Sequence, residues 1–150
     1  MRQKRPCALN IMVLYKLTHN DNFLFYALSN MGFKVYLDCI VDANMKRNET
    51  DKNTAKRIQQ RLKNSKSLIY AQSPDAGKSN WMPWELGVVD GHTGKCMIMP
   101  VTKDAKPVSP RREYLLLYPY IMPYGIREEM RVFTEQYSIY GEDINSYIRK

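Results

Sequence analysis

Short apolar runs alternate along this chain with polar stretches of helical spacing, and that alternation most restricts what it can fold into. Phe33-Lys34-Val35-Tyr36-Leu37 alternates and is built from β-formers, which predicts a strand ending at Asp38. Ser67 to Ala71 reads as a second strand, and Cys96-Met97-Ile98-Met99-Pro100-Val101 as a buried strand stopped by its proline. Ala8 to Leu14 is a further apolar run that suits a first strand and a helix equally. Between these runs, Asn22 to Asn30 puts Phe23, Tyr26 and Ala27 on one helical face, with Gly32 as a C-terminal stop. A cap at Thr50 or Asp51 starts a helix to about Asn64, with Ala55, Ile58 and Leu62 as its apolar stripe. Strands separated by helices predict an α/β domain with a mostly parallel sheet and helices on both faces.

Beyond Val101 the pattern weakens. Lys103 to Arg112, with Pro107 and Pro110, reads as a loop, and Leu115 to Ile121 as a last strand. Ile126 to Phe133 and Asp143 to Ile148 read as helical pieces, and the tyrosines from Tyr114 onward as an edge or an interface. At 150 residues the chain suffices for one domain with one core, so residues 1–150 are taken as a single domain. No apolar run approaches the roughly 20 residues a membrane helix needs. The basic start, Met1-Arg2-Gln3-Lys4-Arg5, is not followed by a secretory cleavage site. Cys7, Cys39 and Cys96 have neither metal-ligand spacing nor a disulfide framework, so no metal is expected and a reducing cytoplasm is.

The net charge of +8 suits nucleic acid, an anionic membrane surface or phosphorylated small molecules. Much of it lies on Lys52, Lys56, Arg57, Arg61 and Lys63, off the apolar stripe of one helix. A solvated helix face accounts for that, and a dedicated nucleic-acid surface is disfavoured.

Both tryptophans fall in Ser79-Asn80-Trp81-Met82-Pro83-Trp84-Glu85, after the strand at Ser67 and a polar loop from Gln72 to Lys78. A carboxylate in the first turn of a helix, beyond a strand end and flanked by large aromatic rings, suits a flat, charged ligand. In open α/β sheets ligands bind outside the carboxyl ends of the strands. The same residues have a plain structural reading. Acidic side chains are common in first turns because they offset the helix dipole by about 0.3–1 kcal/mol, Pro83 is an ordinary first-turn residue, and tryptophans mostly pack. Ala76-Gly77-Lys78-Ser79 invites a phosphate-loop reading, but Gln72 stands where that motif needs its first glycine. Backbone amides at the helix start can still hold a phosphate. His19 and His92 are too isolated for a metal or a nucleophile relay, and loop positions are expected for both.

Taken together, Val35-Tyr36-Leu37-Asp38, Thr54-Ala55, Ser65-Lys66-Ser67-Leu68-Ile69-Tyr70, Ser79-Asn80-Trp81-Met82-Pro83-Trp84-Glu85-Leu86-Gly87 and Asp90-Gly91 resemble a TIR-like domain. More narrowly, they resemble the short bacterial TIR proteins of anti-phage defence, the Thoeris type. The similarity is strongest over residues 32–101, with residues 1–21 divergent; only Thr18, His19 and Asp21 match the expected pocket loop. The resemblance implies a flavodoxin-like TIR fold with about five strands in a mostly parallel sheet. It implies an enzyme that cleaves NAD+ at the nicotinamide–ribose bond, a glycohydrolase or ADP-ribosyl cyclase. Glu85 takes the position of the essential glutamate, and Trp81, Ser79, Asp38 and His19 those of substrate-binding residues. NAD+ is then substrate, and no further cofactor is implied. The resemblance further implies homo-oligomers, with the loop from Cys39 to Glu49 bordering the pocket, and a downstream effector reached through a cyclic ADP-ribose-type signal. Two other functions fit the same residues: a non-catalytic TIR-like interaction module, and a nucleoside deoxyribosyltransferase, which shares the sheet topology and a key glutamate.

Overall fold

The computed structural model describes residues 10–15, 22–39, 52–72, 81–100, 113–127, 129–134 and 140–150. Strand β3 (Ser67–Gln72) is buried along its whole length and sits third in a seven-stranded sheet. Its neighbours are β1 (Asn10–Tyr15) and β4 (Cys96–Pro100), both parallel to it. Outside them lie β2 (Lys34–Cys39) on one side and β5 (Tyr120–Tyr124) on the other, also parallel. The parallel strands thus run β2-β1-β3-β4-β5, which is the flavodoxin-like order. Two strands unforeseen in the sequence extend this sheet: β6 (Glu129–Phe133) and the short β7 (Glu142–Asp143), each antiparallel to its neighbour.

Side-chain alternation divides the core between the two faces. Ile11, Ile69, Ala71, Met97, Ile121, Met130 and Val132 face one way. There they meet Leu28 of α1 (Asn22–Asn30) and Ile144 and Ile148 of α4 (Ile144–Arg149). Leu68, Tyr70, Cys96 and Ile98 face the other way. That side is covered by Leu62 of α2 (Lys52–Asn64) and by Met82, Leu86 and Val89 of α3 (Trp81–Thr93), with Leu115 of a 3₁₀ turn at Glu113–Leu117. Helices on both faces are what a parallel sheet requires, since neither face can be left to water.

The ambiguous first run is a strand. Ile11, Met12, Val13 and Leu14 pair with β3 while Asn10 to Tyr15 pair with β2, so β1 lies inside the sheet despite its divergent sequence. Without it two edges would open in the middle of the sheet. Helix α1 ends where its glycine allows: Gly32 adopts φ +87°, and the Phe33 amide reaches back to the Leu28 carbonyl at 3.2 Å. Helix α4 starts on Asp143, whose carboxylate accepts from the Asn145 and Ser146 amides.

Beyond β4, two sequence expectations fail and a third fails in its sheet-edge alternative. Leu115 to Ile121 is divided between the 3₁₀ turn and the start of β5. Ile126 to Phe133 is a hairpin tip followed by β6, not a helix. Its Ile126 and Met130 imitate helical spacing, but the buried pair is Met130 and Val132, at a period of two, after a turn that Gly125 makes at φ +74°. The tyrosines do not mark a sheet edge, because β6 pairs with β5; Tyr114, Tyr118 and Tyr120 instead pack against the α3-side core. The loop expected at Lys103 to Arg112 and most of that at Cys39 to Glu49 lie outside the described residues, and Cys39 itself ends β2. No helix among the described residues is long and apolar enough to cross a membrane.

Candidate functional site

Helix α3 is laid across β3 and β4 by a stripe at helical spacing. Met82, Leu86 and Val89 are fully buried and recur at the i, i+4, i+7 spacing of a core-facing stripe. Glu85 occupies the i+3 position of that stripe, where an apolar side chain is ordinary, and its relative exposure is 0%. The structure corrects its placement: α3 begins at Trp81, so Glu85 lies one turn further in than the first turn. A dipole effect falls off within the first turn and asks for no burial. Taking a carboxylate out of water is costly unless polar or charged groups receive it. A buried carboxylate on a core stripe makes Glu85 the candidate around which a site is sought.

The aromatic neighbours separate. Trp84 is 39% exposed while the adjacent Glu85 is buried, so this tryptophan does not line the inner side of the helix. Trp81 is the first residue of α3 and stands at the same end of the layer as Glu85. Asp38 lies near the carboxyl end of β2, in register with Leu14 of β1. Because β1, β2 and β3 are parallel, the carboxyl ends at Asp38 and Gln72 open on the same side of the sheet, where α3 begins. Ser79 and His19 lie outside the described residues. Gln72, assigned to a loop by the sequence, is the last residue of β3 and 3% exposed. Its signal was available: a polar residue that directly continues a run of buried strand residues.

The opposite end of the same layer is closed by short bonds. The Ser67 hydroxyl donates to the Lys95 carbonyl at 2.6 Å, and the Ser65 hydroxyl to the Arg61 carbonyl at 2.9 Å. Thr93 donates to the Val89 carbonyl and accepts from the Lys95 amide. Gly94, at φ +61°, ends the helix with its amide on the Asp90 carbonyl, so α3 runs past Asp90-Gly91. His92 is in that last turn rather than in a loop, its ring nitrogens 2.7 Å from the Val88 carbonyl and 3.2 Å from the Ser65 carbonyl. Tyr118 donates to Asp90 at 3.0 Å, and burial together with this partner pushes its phenol up to about 12. Burial, reinforced by the Asp90 charge, pushes the Cys96 thiol up to about 12, so it stays protonated and unreactive. No group of His, Cys, Asp and Glu suited to a metal occurs among the described residues.

No family model matches the chain. It is 41% identical over 95 residues to a probable 3' cyclic ADP-D-ribose synthase, ThsB', of Bacillus cereus (strain MSX-D12). The match takes in 63% of this chain, and the chain spans about half the length of that relative, 49%.

Proposed function

We propose that this TIR-like chain cleaves the nicotinamide–ribose bond of NAD+ and acts as an NAD glycohydrolase or ADP-ribosyl cyclase in bacterial anti-phage defence. The observation that carries the reading is Glu85, a carboxylate on the buried stripe of α3 at the carboxyl end of a flavodoxin-ordered sheet. The activity for which the Bacillus cereus relative is named supports it and points to a cyclic ADP-ribose-type product.

The chemistry follows from the charge. When the glycosidic bond breaks, its electron pair goes to the pyridinium nitrogen and leaves positive charge on the ribose, as in other glycoside cleavages. A fixed carboxylate in a site shielded from water stabilises such a charge far better than one in water. Glu85 has that role, and it also accepts hydrogen bonds from ribose hydroxyls. Trp81 supplies an aromatic wall for a base, and Ser79, Asp38 and His19 complete the substrate-binding set. The ADP-ribosyl cation is captured by water, or by a nucleophilic group of the same molecule; in either case one proton leaves the attacking group. Capture from within gives the cyclic signal that a downstream effector reads. NAD+ is the substrate, with no metal or resident cofactor in the step. The single domain works in the cytoplasm as a homo-oligomer.

Concentrated wild-type protein and Glu85→Gln, each incubated with NAD+, test this through products separated by chromatography and mass. Nicotinamide released by the wild type alone is the expected result. Equal release by both would remove Glu85 from the reaction, and no release by either across a concentration series would end the reading.

A further inference from the structure

We infer that Gln72 contacts the substrate beside Glu85, its side-chain amide binding the neutral hydrogen-bonding group of the ligand, hydroxyl or carboxamide, next to the bond that breaks. The inference rests on the NAD+ reading above and adds to it the residue that selects among N-glycosides.

Strand β3 breaks its own rule at this residue. Strands covered on both faces are near-continuous apolar runs, and Leu68-Ile69-Tyr70-Ala71 obeys this. Gln72 follows at the carboxyl end, still buried, with an amide in place of a hydrocarbon. Alternation puts it on the side of Leu68 and Tyr70, which is the side that α3 covers. Glu85 lies on the inner stripe of that same helix. The amide and the carboxylate thus belong to facing layers, at the end of the sheet where ligands of open α/β folds bind.

The strand ladder also runs out at this level. Gln72 is in register with Pro100, the last residue of β4, whose nitrogen carries no proton to donate. On the other side the pairing with β1 ends at Leu14 and Tyr70, two residues before Gln72. Among the described residues the buried polar side chains are Ser65, Ser67, Gln72 and Glu85. The serines lie at the far end and bond to nearby carbonyls that close the chain junctions. Gln72 and Glu85 share the other end, at the carboxyl terminus of β3.

Their chemistry is complementary. A carboxylate only accepts, whereas an amide both donates and accepts. Side by side they fit a group that does both, which in a nicotinamide riboside is a sugar hydroxyl or the ring carboxamide. A neutral amide has a further merit: it adds no positive charge that would compete with the ribosyl cation for the field of Glu85.

The test uses the full chain with NAD+, nicotinic acid adenine dinucleotide and an NAD+ lacking the 2′-hydroxyl of the nicotinamide ribose, each across a concentration range. Wild type is compared with Gln72→Leu and the isosteric Gln72→Glu, with thermal melts run in parallel. The expected result is a fall in kcat/KM for NAD+ of about tenfold or more, the size of one lost buried hydrogen bond, and a loss of discrimination against one analogue. Loss against the acid analogue identifies the carboxamide as the bound group, and loss against the deoxy analogue the hydroxyl. If all three substrates slow by one common factor, or none slows, Gln72 only supports the fold and the inference fails. If Gln72→Leu does not fold, Gln72→Glu decides alone, and failure of both to fold assigns Gln72 to the scaffold. A wild type that releases no nicotinamide overturns the NAD+ reading and this inference with it. An active wild type whose discrimination survives both substitutions overturns this inference alone.

Discussion

The two ends of the α3–β3 layer are built on opposite principles. At the amino end of β3, Ser65, Ser67, His92, Thr93 and Lys95 are joined by hydrogen bonds to carbonyls and amides, some local and some 27 or 28 positions apart, and Gly94 turns the chain. Every group there serves the connection between helix and strand. At the carboxyl end, Glu85 and Gln72 hold buried polar groups at positions where helix and strand patterning calls for hydrocarbon. The same two elements thus carry a fastening at one end and, on the function proposed above, a site at the other. Substitutions at the fastened end should lower stability and spare chemistry, and substitutions at the site should do the reverse.

The largest effect expected is on turnover. Glu85→Gln should lower NAD+ cleavage by on the order of 100- to 1,000-fold, as loss of one electrostatic stabiliser does, while the melting temperature holds because the amide keeps the shape of the carboxylate. Steady-state nicotinamide release beside a melting curve checks it, and a matching collapse in stability would erase the contrast. Next comes Leu68→Ala, in the core shared by both ends. It should cost about 2–5 kcal/mol in chemical denaturation, with turnover per folded molecule unchanged. Ser67→Ala removes the 2.6 Å bond to Lys95 and should cost about 1–3 kcal/mol, since it leaves a buried carbonyl with fewer donors. Asp143→Ala should cost about 1 kcal/mol by uncapping α4. The smallest effect concerns pH. The Cys96 thiol rises from 9.0 to about 12 in the folded protein, so above pH 9 the unfolded chain releases a proton that the folded one keeps. Stability should therefore decline as pH rises from about 9 toward 12. The decline should be shallower in Cys96→Ala, and the native thiol should resist alkylation at pH 8.

The fastened end was poorly legible in the sequence and the site end partly so. Strong periodicity gave α1, α2, β2, β3 and β4 close to their observed bounds, because each is anchored by several apolar side chains and, in α1, by a glycine stop. The antiparallel extension was missed because Met130 and Val132 are too few to outweigh the helical imitation of Ile126 and Met130. The His92 bond to Ser65 spans 27 positions, and no local pattern announces it. Glu85 stood out through its tryptophan motif, but its depth came only from the packing of α3, since a glutamate one turn into a helix is ordinarily solvated. Gln72 went unnoticed because a polar residue after an apolar run is read as the end of a strand. Here the strand simply continued.

The most direct test sets Glu85→Gln against Ser67→Ala in one experiment, with nicotinamide release from NAD+ and thermal unfolding measured on the same samples. The account predicts that Glu85→Gln melts like wild type and is inactive, whereas Ser67→Ala melts lower and cleaves NAD+ at the wild-type rate per folded molecule. An active Glu85→Gln, or an inactive but folded Ser67→Ala, would contradict it.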